Sequence, residues 1–181
     1  MRHFLFLLAS ARRGGNTEAM ARFAAEHLPA DATQSWLRLS ELPLRPFEDI
    51  RHAGDGVYPA PEGNEKLLLE ATVEATDLVI ASPVYWYSIA APAKLYLDHW
   101  SGWLRVPGAR FRDRMRGKTM WSVTALSNES PEAVAPLVNS LKLTADYMDM
   151  RWGGSLVNYY NRPGEAISDG ATNSFFSAAR V

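Results

Sequence analysis

The chain has 181 residues, of which 47% are hydrophobic and 22% are charged, and it contains no cysteine. This length and this apolar content predict one folded domain over residues 1–181 rather than a disordered chain. The net charge of −1 predicts no basic surface for nucleic acid, and the lack of cysteine excludes disulfides, thiolate metal sites and cysteine nucleophiles. No apolar run approaches the roughly 20 residues that a membrane span needs.

The chain begins with a strand pattern followed by a helix pattern. The near-continuous apolar run at residues 4–9 predicts a central strand that is covered on both faces. Because this run is short and arginines follow it in place of a cleavage site, it is not a signal peptide, and we expect a cytoplasmic protein. Met20, Phe23 and Leu28 recur at helical spacing, and Thr17 is predicted to cap that helix.

The same alternation continues along the rest of the chain. A shorter strand is predicted at residues 35–39, and the proline-rich irregular stretch at residues 41–63 is long enough to shape or cover a site. The later predicted elements are a helix from residue 67, a strand at 78–81, a helix at 91–103, a strand at 120–125, a helix at 131–148 and a strand at 152–157. This order predicts an α/β fold with a doubly wound parallel sheet.

Ligands of doubly wound sheets bind beyond the carboxyl ends of the strands. Three segments follow predicted strands at that edge: residues 10–17, 82–90 and 125–130, called here the first, second and third loops. The functional residues are therefore expected in these loops. The four histidines of the chain show no metal-ligand spacing, so no metal site is predicted.

The first loop, SARRGGNT, leaves a predicted strand and opens a helix. Its two glycines let the backbone approach a ligand closely, and the helix start offers unpaired N–H groups. Side chains that can bind a phosphate there are Ser10, Arg12, Asn16 and Thr17. An ordinary turn with solvated arginines is the alternative. The loop lacks the lysine of a nucleoside-triphosphate P-loop and the GxGxxG spacing of a dinucleotide site, which disfavours both.

The second loop begins with SPVYWYS at residues 82–88. Three adjacent aromatic residues at a strand end cannot all enter the core, so they predict a flat apolar wall for a planar heterocycle. Packing of these rings against the next helix, or against another subunit, is the alternative interpretation.

Together, SARRGGNT and SPVYWYS, followed by APAK at residues 91–94 and by Asp98, resemble the superfamily of flavodoxin-like NAD(P)H-dependent FMN reductases and quinone oxidoreductases. The resemblance extends to about residue 157 and is similar in particular to the branch that includes iron-sulfur flavoproteins. It implies a flavodoxin-like five-stranded parallel sheet with strand order 2-1-3-4-5 and helices on both faces. The cysteine motif of iron-sulfur flavoproteins is missing at residues 46–49, which excludes a cysteine-ligated cluster.

The resemblance also implies which residues hold FMN. Those expected at its phosphate are Ser10, Arg12, Gly15, Asn16 and Thr17. Those expected along its isoalloxazine ring are Pro83, Val84, Tyr85 and Trp86. Those expected on the other side of the ring are Ala125, Leu126 and Ser127. No side chain is predicted to act as a catalytic acid or base, because the flavin carries the chemistry.

The function implied by the resemblance is an FMN-dependent oxidoreductase. A nicotinamide, NADH or NADPH, would deliver hydride to the flavin, which would then reduce a quinone, a nitroaromatic compound or a similar small acceptor. The resemblance further implies a homodimer with the flavin near its interface. A flavodoxin-type electron carrier that serves a protein partner is the alternative, although classical flavodoxins are strongly acidic and this chain has a net charge of −1. A module that has lost FMN and only binds a partner is a third hypothesis, which the intact first loop disfavours.

Overall fold

Strands and helices alternate along the chain in the computed structural model, which describes residues 1–127, 129–166 and 169–180. The strands are β1 (His3–Leu8), β2 (Thr33–Arg38), β3 (Asp77–Ala81), β4 (Thr119–Leu126) and β5 (Arg151–Tyr159). The helices are α1 (Asn16–Ala25), α2 (Gly63–Glu74), α3 (Ala91–Trp103), α4 (Phe111–Met115), α5 (Pro131–Tyr147) and α6 (Gly170–Ser174). Short 3-10 helices cover Leu39–Glu41 and Phe175–Arg180.

The strands form one parallel sheet in the order β2-β1-β3-β4-β5, which confirms the predicted topology. Every residue of β3 is buried, as expected for a strand that is covered on both faces. Because the strands run in one direction, the loops that follow them lie at one edge of the sheet.

Alternate residues of the central strands build the two halves of the core. Leu5 and Leu7 of β1 pack with residues of α2, α3 and α5 on one face of the sheet. Phe4 and Phe6 pack on the opposite face with residues of α1 and with Phe176. This division follows from the two-residue period of a strand and confirms helices on both faces of the sheet.

Helix α1 starts two residues earlier than it would if Thr17 were its N-cap. Gly14 has a φ of 63°, a left-handed conformation that turns the chain directly into the helix. Gly15 is therefore the N-cap, which has no side chain to cap the helix, and Thr17 is the buried second helical residue. The prediction that Thr17 caps α1 was wrong.

Two helices had no counterpart in the predicted order. Helix α4 is five residues long, and its buried residues Phe111 and Met115 lie one turn apart. Helix α6 is capped by Asp169, whose carboxylate accepts a hydrogen bond from the Thr172 N–H at 2.7 Å. It leads into Phe176, whose ring centroid lies 5.2 Å from that of Trp121 on the same face as α1.

The irregular stretch 41–63 packs along α3. The ring of Tyr58 lies against Gly102, where an added Cβ would stand 2.9 Å from a ring carbon. His99 of α3 is buried, with its Nε2 2.9 Å from the Arg45 carbonyl oxygen and its Nδ1 3.0 Å from a Glu65 carboxylate oxygen. His99 therefore joins α2, α3 and the irregular stretch. Part of the stretch also lines an apolar cleft of about 350 Å³ beside the first turn of α3.

Candidate functional site

The three predicted loops leave neighbouring strands at one edge of the sheet. Backbone hydrogen bonds that join their starting points run from Ala9 N–H to Ala81 C=O (2.9 Å), from Ser82 N–H to Val123 C=O (3.0 Å) and from Val84 N–H to Ala125 C=O (3.3 Å). The structure thus brings the three loops together, as the sequence predicted.

The first loop forms an open cradle of backbone N–H groups. Helical bonding in α1 begins with the Ala19 N–H, which donates to the Gly15 carbonyl at 3.0 Å, and no side chain among the described residues caps the earlier N–H groups. Ser10 and Thr17 are buried beside this turn, and the Ser10 hydroxyl accepts a hydrogen bond from the Arg12 N–H at 3.1 Å. An anion at this position would meet unpaired donors and the positive end of the helix dipole.

Arg12 differs from the other arginines around the first loop. Arg13 pairs with Glu41 at 2.6 Å, and Arg38 pairs with Glu18 at 2.7 Å. Arg12 is exposed, and its guanidinium makes no ion pair or hydrogen bond with any residue that the structure describes. It is therefore available to a ligand anion.

Glu18 organises the cradle from below, a role that the sequence analysis missed. Its buried carboxylate accepts hydrogen bonds from the Gly14 N–H at 3.0 Å, from Arg22 at 2.8 Å and from Arg38 at 2.7 Å. Burial alone would raise the pKa of Glu18, but the bonds from Arg38 and Arg22 outweigh it and lower the pKa to about 2. A glutamate at the third helical position, from which a carboxylate can reach back to N–H groups ahead of the helix, is the signal that could have revealed this role.

Asn16 stands at the start of α1, but its side chain is engaged elsewhere. The amide group binds the backbone of residues 162–166, which follow β5. The structure therefore adds this segment to the surroundings of the first loop, whereas the sequence analysis did not assign it to the site.

Ser82 fixes both ends of the second loop. Its hydroxyl accepts a hydrogen bond from the Ala90 N–H at 2.9 Å and donates to the Pro83 carbonyl at 2.9 Å. Pro83 and Val84 are half-buried, while Tyr85 is 48% exposed. The loop is thus anchored at its base and open at its tip.

The tip of the second loop is a strained two-residue turn. Tyr85 and Ser88 exchange two backbone hydrogen bonds of 3.0 and 3.1 Å around Trp86 and Tyr87. Trp86 and Tyr87 have φ angles of 50° and 64°, a left-handed conformation that non-glycine residues adopt at a cost of about 1 kcal/mol or more each. Trp86 is 94% exposed and Tyr87 57% exposed. The chain therefore presents two aromatic rings to a ligand or a partner at an energetic cost.

The third loop contributes mainly backbone at this edge. Ala125 is half-buried and Ser127 is exposed, whereas the Leu126 side chain is buried in a cluster with Ala133 and Val134 of α5. Asn128, which belongs to the predicted third loop, lies outside the described residues. Leu126 can border a ligand through its backbone only.

Two other kinds of feature are absent from residues 1–127, 129–166 and 169–180. No helix in these ranges is both long and apolar enough to cross a membrane. Nor do these ranges hold three potential ligands among His, Cys, Asp and Glu arranged to bind a metal ion.

Comparisons with known proteins agree with this geometry. The family model described as NADPH-dependent FMN reductase matches residues 2–160. A protein of Bacillus subtilis strain 168, named as an NAD(P)H-dependent FMN-containing oxidoreductase, is 30% identical over 160 residues, which cover 87% of this chain and 85% of the relative.

Solved structures share the fold. The Trp repressor binding protein of Bacillus subtilis has a TM-score of 0.72 and 21% identity, with 96% of each chain covered. A WrbA-like flavodoxin of Agrobacterium tumefaciens has a TM-score of 0.64 and 17% identity, with 99% of this chain and 94% of the other covered. Since the family model spans most of the chain, the resemblance inferred from the loop motifs is confirmed, and the chain belongs to the family of NADPH-dependent FMN reductases.

Proposed function

We propose that this flavin-dependent oxidoreductase takes reducing equivalents from NADH or NADPH and passes them, through FMN, to a small acceptor such as a quinone or a nitroaromatic compound. One observation carries the proposal: an uncapped helix start with an unpaired Arg12 lies at the same edge of the sheet as an exposed aromatic turn. When bound, FMN supplies the redox chemistry, and the protein supplies binding, orientation and electrostatics.

The first loop fits the phosphate of FMN. A phosphate monoester carries a charge near −2 at neutral pH and accepts several hydrogen bonds. Open N–H groups at the start of α1, the Ser10 and Thr17 hydroxyls and the Arg12 guanidinium match that chemistry. Gly15 is the N-cap, and a Cβ added there would lie 3.8 Å from the Ser10 hydroxyl oxygen and 3.9 Å from the Arg12 Cδ, between two of the proposed phosphate ligands.

The second and third loops fit a planar ring. Pro83, Val84, Tyr85 and Trp86 supply apolar and aromatic surface at the strand end. The backbone at Ala125 and Ser127 can border the opposite side. The second loop holds no histidine or acidic residue, so its proposed role is to orient a ring.

A small, weakly polar acceptor is favoured by the apolar cleft beside the second loop. This cleft of about 350 Å³ lies between the first turn of α3 and the chain that follows β2, and it is lined mainly by leucine and proline side chains. Helix α3 begins directly after the second loop, so the cleft adjoins the proposed ring site. Apolar clefts with few polar groups are typical of sites for small organic molecules.

A homodimer and a cytoplasmic location belong to the same proposal. Support for the dimer comes from the exposed rings of Trp86 and Tyr87, since aromatic residues are enriched at subunit interfaces. A single monomeric species by sedimentation at micromolar concentration would contradict the dimer.

Trp86→Gly is expected to separate the functional role of this residue from its effect on stability. Glycine adopts the left-handed conformation without strain and the indole is 94% exposed, so the free energy of unfolding should rise by about 0.5 kcal/mol or more. Flavin fluorescence and acceptor kinetics should change in the same variant, while Trp86→Phe should preserve them largely. Urea unfolding and fluorescence titration measure the two effects. Unchanged fluorescence and kinetics in Trp86→Gly would place the indole away from the ring.

Steady-state kinetics distinguish an enzyme from an electron carrier. The FMN-loaded chain should oxidise NADPH or NADH rapidly when a soluble benzoquinone or a nitrofuran is the acceptor. Double-reciprocal plots at several acceptor concentrations should give parallel lines, as expected when the two substrates react with the flavin in turn. Negligible turnover with every small acceptor, together with rapid reduction of the flavin by a reductase protein, would contradict the proposal and favour the carrier.

A further inference from the structure

The Asn16 side chain joins the start of α1 to the segment that follows β5. Its Nδ2 donates to the Arg162 carbonyl at 2.8 Å, and its Oδ1 accepts hydrogen bonds from the Gly164 N–H at 3.0 Å and the Ala166 N–H at 3.2 Å. Both ends of one amide group are therefore satisfied by a single backbone segment about 150 residues away. Such complementary bonding holds the segment in one position against the first loop.

The 161–166 segment is itself ordered as a turn. The Glu165 carboxylate accepts hydrogen bonds from the Asn161 N–H and the Arg162 N–H, each at 2.8 Å. Asn16 thus holds a segment whose internal geometry is already fixed at Arg162. Because the Arg162 carbonyl lies within 2.8 Å of an Asn16 atom, the Arg162 backbone stands beside the open N–H groups of α1.

Charge at this edge is unbalanced. The arginines of the first loop and its surroundings are Arg12, Arg13, Arg22, Arg38 and Arg162, and the carboxylates are Glu18, Glu41 and Glu165. Glu18 and Glu41 are engaged by Arg13, Arg22 and Arg38, and the Glu165 carboxylate accepts from backbone N–H groups, so these carboxylates pair with neither Arg12 nor Arg162. Arg162, like Arg12, is exposed and has no side-chain partner in the part of the chain that the structure describes.

We propose that Arg162, held at the first loop by Asn16, is a second cation for the phosphate of FMN. The 161–166 segment then borders the phosphate site at the start of α1, where Asn16 holds it. Asn16 acts as a positioning residue, because its side-chain amide is already hydrogen-bonded to the backbone of the 161–166 segment. This inference rests on the proposed binding of FMN by the first loop.

The first test compares FMN with riboflavin, which carries the same ring without the phosphate. Arg162→Ala should raise the Kd for FMN by about tenfold or more, the loss expected for a charge-assisted hydrogen bond, and leave the Kd for riboflavin unchanged. Arg13→Ala is the matched control, since Arg13 is also exposed but pairs with Glu41. An equal loss of affinity for FMN and for riboflavin, or no loss of affinity for FMN, would overturn the role of Arg162.

A double-mutant cycle tests the positioning role of Asn16. Asn16→Ala should weaken FMN binding about as much as Arg162→Ala does, and adding Arg162→Ala to it should cost nothing further, because the arginine is then no longer held in place. Additive losses would overturn the positioning role and indicate that Asn16 contacts the phosphate independently. A wild-type chain that binds FMN no more tightly than riboflavin would instead contradict the proposed function itself.

Discussion

Glu18→Gln is expected to lower the free energy of unfolding at pH 7 by about 2 kcal/mol, because it removes the charge of a buried carboxylate that holds Arg22 and Arg38. Arg38 keeps its ion pair with Glu41 at 3.2 Å, which limits the loss. The same change weakens the bond that holds the Gly14 N–H, so FMN affinity should fall as well. Urea unfolding measures the first effect. Glu26→Gln is the control, because Glu26 is exposed and directly follows the last residue of α1. It should change the free energy of unfolding by less than about 0.5 kcal/mol.

The pH dependence gives this prediction a second readout. The pKa of Glu18 is lowered from 4.5 to about 2, so its stabilising contribution is fully present above about pH 4.5 and is lost as the pH falls through 2. The stability difference between the wild type and Glu18→Gln should therefore be constant above pH 5 or so and narrow steadily at lower pH. A difference that does not change between neutral and acid pH would show that Glu18 is not a buried, ion-paired carboxylate.

Arg12→Ala should raise the Kd for FMN by at least about tenfold, since a hydrogen bond to a charged group contributes roughly 1.5–3 kcal/mol. The Kd for riboflavin should not change, because the effect belongs to the phosphate. The difference between the wild type and the variant should also shrink in high salt, as exposed charges are screened. Fluorescence titration with each flavin at two salt concentrations measures all three effects.

Arg13→Ala is again the natural comparison, because the two arginines are adjacent in the chain and differ in their partners. Its FMN affinity should stay within about twofold of the wild type, in line with the small effects of surface ion pairs. If Arg13→Ala weakened FMN binding more than Arg12→Ala did, the assignment of Arg12 to the phosphate, which is based on its lack of an ion pair, would be wrong.

The fold could be predicted because its strands are short apolar runs at regular intervals. The run at residues 4–9 matches β1, and the run at 78–81 lies within β3. The C-terminal part of the chain was harder to predict, because α6 is short, rich in small and polar residues, and without a periodic pattern of apolar residues. The 3-10 helix that follows α6 carries Phe176, whose ring packs against Phe4 and Phe6, a contact that becomes visible only in three dimensions.

The candidate site was predictable only where adjacent residues act together. The loops 10–17 and 82–90 are contiguous motifs, and the structure places both at one edge of the sheet. The bond between Glu18 and Arg38 and the bonds of Asn16 join residues that are distant in the chain, so composition and spacing carry no trace of them. The left-handed turn at Trp86 and Tyr87 was equally hidden, because such turns normally carry glycine or asparagine.

The most direct test is the visible absorption spectrum of the purified chain after FMN is added and the excess removed, recorded again without oxygen after addition of NADPH or NADH. We expect a retained flavin spectrum that bleaches with a nicotinamide and recovers when a quinone is supplied. A chain that retains no flavin, or whose flavin neither nicotinamide bleaches, would contradict an oxidoreductase built on these three loops.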